Sequence, residues 1–467
     1  MYNQALDRRL ALKSAACGFG SLALAGMCNQ QLQAANPLAE KMPQFTARAK
    51  RVIFVFMQGG PSQVDSFDPK PQLAKYDGQK VEFNVARTRK RTAEPVMDAL
   101  WKFKRYGECG QPVSELFPHI AKHVDDLCFL HGMHTEGVAH GPSTLFMHTG
   151  ATNLIRPSVG AWVTYGLGSE NENLPGFITI NPSPTKGGPR NYGNAFLPSA
   201  YQGTAIGRPG TPVSDAKISY IANQHMAGPE QREHLDVLQQ LNREQLSHHA
   251  AGAGLDNVVE SFELAYRMQS EIPAVMDFSG ETQATLDAYG IGTKETDGFG
   301  RQCLMARRFA ESGVRFVQLN YSDNSATPKW DQHSNMPAHK QHAFATDQPV
   351  AALLADLKQR GLLEDTLVWW GGEFGRTPFA QNKNGRDHNP KGFTVFLAGG
   401  GVKNGIRYGA TDEWGYEAVS DKVHMHDLHA TLLHLMGVDH KKLTYRFAGR
   451  DFRLTDIHGS VVHDIIA

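Results

Sequence analysis

Arg51-Val52-Ile53-Phe54-Val55-Phe56-Met57-Gln58-Gly59-Gly60-Pro61-Ser62 is the stretch around which the chain organises. Its first seven residues are rich in β-branched and aromatic side chains, and the run stops abruptly at two glycines and a proline. That pattern predicts a buried strand entering a loop, a suitable first strand for a parallel sheet. Outward from it, Leu116 to Val124 reads as a helix and Leu127 to Leu130 as the next strand. Pro142 to His148 reads as a helix closed by Thr149-Gly150, with Pro in the first turn and Gly past the end. Phe177 to Ile180 is a further strand, and Asn181 to Gly210, rich in Pro and Gly, is a long loop. From Glu230 to Ser270 the aliphatic residues fall at helical spacing. The last third alternates: helix at Arg301–Ser312, strand at Val314–Asn320, helix at Gln348–Arg360, strands at Thr366–Trp370 and Phe393–Leu397, and a helix from Leu428 to Met436. Such alternation implies βαβ units, a parallel sheet and helices on both its faces.

Composition narrows the partners. Lys plus Arg and Asp plus Glu each number 47 in 467 residues, so no global field recruits nucleic acid or an anionic membrane. Residues 69 to 112 are polar and basic, including Arg87 to Arg91, and read as a solvated excursion. The first 35 residues run from Asp7-Arg8-Arg9-Leu10-Ala11-Leu12-Lys13 through an apolar, small-residue stretch to Ala34-Ala35. That order is the architecture of a removable twin-arginine export signal, so the protein is expected to be periplasmic or extracellular. No later run approaches the roughly 20 apolar residues of a membrane span. Beyond the signal, Cys109, Cys128 and Cys303 are too scattered for a disulfide framework or a cysteine zinc site.

In open parallel sheets functional groups gather beyond the carboxyl ends of the strands. Here Gln58 to Asp65, His131 and His134, Asp323 to His333, and Glu373 each follow a strand. Trp330-Asp331-Gln332-His333 sets a carboxylate and an imidazole two residues apart, and Arg386-Asp387-His388 repeats the combination. Asp331, His333, Glu373 and His388 are therefore candidate ligands of a divalent metal ion, zinc or manganese being favoured by the oxygen and imidazole set. In Gly371-Gly372-Glu373-Phe374-Gly375-Arg376-Thr377-Pro378 the arginine suits a tetrahedral oxyanion. His140-Gly141-Pro142-Ser143-Thr144 precedes a helix, where backbone N–H groups favour an anion, so His140, Ser143 and Thr144 are all admissible nucleophiles.

These motifs, with Gly59 to Pro71 and His426 to His434, resemble the domain-of-unknown-function 1501 family, grouped with the alkaline-phosphatase and sulfatase superfamily. The resemblance covers nearly all of residues 45 to 467, expected as a single domain with a helical insertion at about 225–300. It implies an alkaline-phosphatase-like three-layer α/β/α sandwich with a mainly parallel sheet, one or two divalent metals, and hydrolysis of phosphate or sulfate esters. On that likeness Asp331, His333 and His388 make one ligand set, and Glu373 stands where an aspartate of a second set is expected. The pattern departs at Gln58-Gly59, where sulfatases carry paired aspartates, so Ser62 or Asp65 would have to substitute. It departs again at Phe374, a position often held by His or Asn, and at His140, which stands at the sulfatase nucleophile position. A formylglycine mechanism is excluded there. The expected activity is thus an exported metal-dependent hydrolase of small-molecule or glycan sulfate or phosphate esters, with metal ligands Asp331, His333, Glu373, His388 and Asp65, and with His140, Arg376 and Ser143 as catalytic groups. The alternative is a non-catalytic exported binding or assembly protein that keeps the fold.

Overall fold

The alternating side chains of β1 (Arg51–Met57) divide the molecule. Ile53, Val55 and Met57 point into one apolar core, while Val52, Phe54 and Phe56 point into another. A strand whose two faces both meet apolar neighbours must lie inside a sheet covered on each side. This is the middle layer of an α/β/α sandwich, seen in a computed structural model that describes residues 37–211, 213, 226, 228–248, 253–325 and 327–467. The export signal read over residues 1–35 lies outside the described residues.

Eight further strands join β1: β2 (Leu127–His134), β3 (Phe177–Ile180), β4 (Thr204–Ile206), β5 (Phe316–Tyr321), β6 (Thr366–Gly371), β7 (Phe393–Ala398), β8 (Ile406–Tyr408) and β9 (Val423–His424). The order across the sheet is β8-β2-β7-β6-β1-β5-β3-β4, with β9 also pairing β2. β1 pairs in parallel with β5 and β6, and β3 pairs in parallel with β5 and β4.

Among the described strands, β7 alone runs against the rest, pairing antiparallel with both β6 and β2. Alternation in the sequence had suggested another parallel strand. Between β6 and β7, however, the chain makes a hairpin, Gly375–Gln381 with Gly385–Asn389, and no helix. A parallel return needs a crossover of a dozen or more residues over one face, usually a helix, so the chain comes back antiparallel.

Helices cover both faces. On one side lie α1 (His140–Thr149), α2 (Val159–Leu167) and α7 (Met425–Leu435), which supply Phe146, Trp162 and Leu432 to one core. On the other lie α5 (Asp297–Glu311) and α6 (His339–Gln359), which supply Leu304, Phe309 and Leu354. α3 (Gly228–His248) and α4 (Ala253–Met276) pack together, joined by Arg232 Nη1 to Glu263 Oε1 at 2.8 Å. Trp369 stacks on Phe54 at 3.8 Å between ring centres, and Trp370 on Phe396 at 5.0 Å. Each such fully buried side chain contributes roughly 1.5–3 kcal/mol.

The structure corrects several local expectations. Residues 69–112 are not a plain excursion but carry two hairpins, Lys80–Val85 with Lys90–Pro95 and Phe103–Tyr106 with Gln111–Ser114. Phe83 packs one of them on Phe379, which a charge pattern does not reveal. The helix read at Leu116–Val124 is a 3₁₀ segment over Ile120–Asp126, and the long loop after β3 contains β4.

That 3₁₀ segment is tied to α6 by Asp347, whose two carboxylate oxygens accept the His119 and Ile120 N–H groups, both at 2.7 Å. Burial pushes Asp347 up to about 7 despite those two donors. From about pH 4 upward the native state keeps a proton that the unfolded chain releases, so the stability supplied by neutral Asp347 is lost as pH rises through 7. Urea midpoints across pH 4–7 are therefore expected to fall less steeply in Asp347→Asn than in the parent; equal slopes would refute this.

Candidate metal centre

Four side chains meet beyond the carboxyl ends of the central strands. His140 opens α1, Asp331 and His333 follow β5, and His388 lies on the returning arm of the hairpin before β7. Because β7 is reversed, its amino end shares the edge with the carboxyl ends of its neighbours. One ligand atom from each of the four lies within 4.8 Å of the others.

Close backbone packing sets the loops. Gly59 has φ +112°, and a Cβ there would stand 2.7 Å from the Asp331 nitrogen. At Gly385 a Cβ would stand 1.9 Å from the His333 carbonyl carbon. The β1 loop and the hairpin thus press on the two ends of the Asp331–His333 segment, and only glycine permits either approach.

Asp331 is the hub. Its Oδ1 lies 2.9 Å from His333 Nε2, 3.2 Å from His388 Nε2 and 2.8 Å from Arg376 Nη2, while Oδ2 lies 3.0 Å from His140 Nε2. His333 Nε2 and His388 Nε2 are 3.0 Å apart. Burial alone would raise the Asp331 pKa, while the buried Arg376 guanidinium beside it lowers it. Burial alone would lower that of His140, yet the Asp331 and Glu373 carboxylates raise it. Burial brings His388 down to about 4, against the pull of Asp331.

The partners on the far side of each ring determine which nitrogen carries the proton. His140 Nδ1 donates to Glu373 Oε1 at 2.6 Å, His388 Nδ1 to the Val138 carbonyl at 2.7 Å, and His333 Nδ1 to the Gln381 side-chain oxygen. A neutral imidazole with its proton on Nδ1 presents a lone pair at Nε2. With all three rings neutral, three such lone pairs face the Asp331 carboxylate, that of His140 Nε2 at 3.0 Å from Oδ2. Lone pairs this close repel unless positive charge lies between them. Three imidazoles and a carboxylate, each imidazole oriented by an outer acceptor, fit a first-row divalent cation.

Several expected site residues sit elsewhere. Glu373 is not in the group of four. It lies behind His140, fully buried, accepting the Gly59 N–H at 3.0 Å on both oxygens. Asp65 is also outside the group, bound to Arg386 Nε at 2.7 Å, Ser62 Oγ at 2.5 Å and the Leu100 N–H at 3.0 Å. Arg376 is fully buried and does not present its guanidinium to solvent, four of its five N–H groups being held by Asp331 and the carbonyls of Gly59, Gly60 and Arg386. Ser143 is fully buried, with no partner for Oγ, in the first turn of α1. His140 has both nitrogens committed to the cluster and its support, not poised as a lone nucleophile.

Sequence reading missed Gln381, Val138 and Gly385. Asn382-Lys383-Asn384-Gly385 was the available signal: Asn382 and Lys383 have φ +50° and +71°, the tight-hairpin conformation that such residues mark. Glu373→Gln, which removes the charge orienting His140, is expected to weaken zinc affinity about 10- to 100-fold. Competition with a chromophoric chelator measures this, and unchanged affinity would refute the supporting role.

Among solved structures, the chain is similar to the lipoteichoic acid synthase LtaP from Listeria monocytogenes at 10% identity, covering 91% of this chain and 80% of that one, with a TM-score of 0.36. It is similar to a protein in the alkaline phosphatase superfamily from Vibrio parahaemolyticus at 9% identity, 87% and 71% coverage and a TM-score of 0.35. The PsFucS1 sulfatase from Pseudoalteromonas sp. matches at 11% identity, 88% and 70% coverage and a TM-score of 0.34. No curated protein matches the chain. The family model described as protein of unknown function (DUF1501) matches residues 49–466, and the chain belongs to that family.

Proposed function

We propose that this protein is an exported metal-dependent hydrolase of phosphate or sulfate esters, working with one divalent cation, zinc or manganese, held by His140, Asp331, His333 and His388. The observation that supports this reading is the convergence of three Nε2 atoms on the Asp331 carboxylate, each ring held at Nδ1 by an oxygen acceptor. A divalent cation there supplies Lewis-acid polarisation of an ester oxygen. Around it Glu373 orients His140, Val138 and Gln381 orient the other two rings, and Arg376 balances the charge of Asp331. The His333 side chain, 26% exposed against 9% or less for the other three, lies on the side from which an ester enters. None of these four side chains remains free as a nucleophile, so the reading is of direct attack by water.

The second reading, a non-catalytic exported binding or assembly protein, is favoured by one observation. With His140 included, the set numbers four protein ligands, the closed count of structural zinc sites. Elemental analysis of the protein and a panel of aryl phosphate and aryl sulfate esters separate the two. One equivalent of metal with turnover that vanishes in His333→Ala supports the hydrolase. One equivalent with no turnover on any ester supports the second reading, and failure to bind zinc or manganese refutes both. A mature amino terminus near Ala35 tests export.

A further inference from the structure

At the end of α1 remote from His140, two loops and a hairpin come together. Residues 150–158 follow α1, residues 181–203 carry Arg190, and the hairpin pairs Tyr445–Phe447 with Arg450–Phe452. Arg190 Nη2 donates to the Asn153 and Leu154 carbonyls at 3.1 and 3.0 Å, and the Arg156 guanidinium lies 4.5 Å over the Phe452 ring. Phe196 stacks on Phe447 at 4.9 Å, and Asp456, next to Ile457, pairs with Arg450 of the hairpin. Four large apolar side chains of this group are left in water: Phe447 is 47% exposed, Leu154 52%, Ile155 68% and Ile457 76%. Apolar side chains gathered at one place on a surface mark a site of contact.

Charge narrows the occupant. Arg446 pairs with Asp451 at 3.2 Å and Arg450 with Asp456, and exposed pairs of this kind are weak enough to exchange for another anion. Arg156, Arg190 and Arg453 donate only to backbone carbonyls among the described residues. Residues 150–158 and 181–203 contain no Asp or Glu, while the whole chain balances at 47 charges of each sign, so the positive excess is local. A protein partner would need a fixed relief to match apolar tips on separate loops, whereas the headgroup zone of a bilayer yields to them. Guanidinium groups meet lipid phosphates there, and aromatic and aliphatic tips reach the roots of the acyl chains.

We propose that this patch docks the protein on an anionic lipid surface, with Leu154, Ile155, Phe447 and Ile457 inserted and the arginines on the headgroup phosphates. α1 has ten residues, so His140 stands roughly 15 Å from the patch end of the helix. The inference goes beyond the hydrolase reading and does not depend on it.

The test is flotation of the intact protein with vesicles of phosphatidylcholine alone and with vesicles of phosphatidylcholine and phosphatidylglycerol in equal parts. Binding to the anionic vesicles is expected to exceed binding to the neutral ones by about tenfold or more, and to weaken with added salt. Ile155→Ser/Ile457→Ser is expected to bind about tenfold more weakly and Arg446→Gln about fivefold more weakly, with melting temperatures unchanged because these side chains lie in water. Val237→Ser/Leu238→Ser, an exposed apolar pair on α3, is expected to bind like the parent. No binding to anionic vesicles, equal binding to neutral ones, or a loss confined to the α3 variant would overturn the proposal. So would a dimer in sedimentation equilibrium that Ile155→Ser/Ile457→Ser dissolves, which would give the patch to a second copy of the chain.

Discussion

Asp331→Ala is expected to abolish binding of zinc and to lower folding stability by about 3 kcal/mol. The size follows from what the carboxylate touches. Both oxygens are in use, and the Arg376 guanidinium at 2.8 Å is fully buried. Removing one partner of a buried ion pair costs about 3–5 kcal/mol because the other charge stays in a poor solvent. Arg376 keeps carbonyl acceptors at Gly59, Gly60 and Arg386, which places the loss at the lower end. The cation is lost for a different reason: without the carboxylate, three imidazoles alone face a guanidinium. Urea unfolding gives the first quantity and elemental analysis of the refolded variant the second. Stoichiometric metal in the variant would show that Asp331 is not the hub.

Asp65→Ala is expected to be as damaging to the fold, at about 3–5 kcal/mol, yet to leave the metal content of the folded fraction intact. Asp65 and Arg386 are both fully buried, and the carboxylate also receives the Leu100 N–H and the Ser62 hydroxyl. Through Arg386 it holds the strand that leads into His388. The double variant Asp65→Ala/Arg386→Met, which removes both charges, is expected to recover at least 1 kcal/mol of the loss, as replacement of buried ion pairs by apolar groups does elsewhere. If the single variant folds normally but emerges without metal, Asp65 belongs among the ligands after all.

These two aspartates show what could be read from the chain and what could not. The β1 run and the alternation of the last third announced a mainly parallel sheet with helices on both faces, because burial on two faces leaves an apolar signature that survives in one dimension. The direction of β7 left no such mark, since Phe393–Ala398 is equally apolar whichever way it runs. Asp331, His333 and His388 stood out as carboxylate and imidazole pairs beside strand ends. Glu373 was read as a ligand and His140 as a reactive group, and the structure places His140 in the group of four with Glu373 behind it. Which of two adjacent polar groups faces the cluster depends on side-chain direction in a turn, and spacing says nothing of that. Arg376 looked free in the sequence because its acceptors are backbone carbonyls, which are invisible as letters.

The four converging residues are distributed very unevenly along the polypeptide, at positions 140, 331, 333 and 388 of 467. While the chain is still being made, His140 waits for nearly two hundred residues before its first companion is synthesised. A fragment that stops short of residue 388 therefore lacks the final imidazole of the set. On the metal-dependent reading proposed above, a cation can be taken up by the full set only after residue 388 has been added.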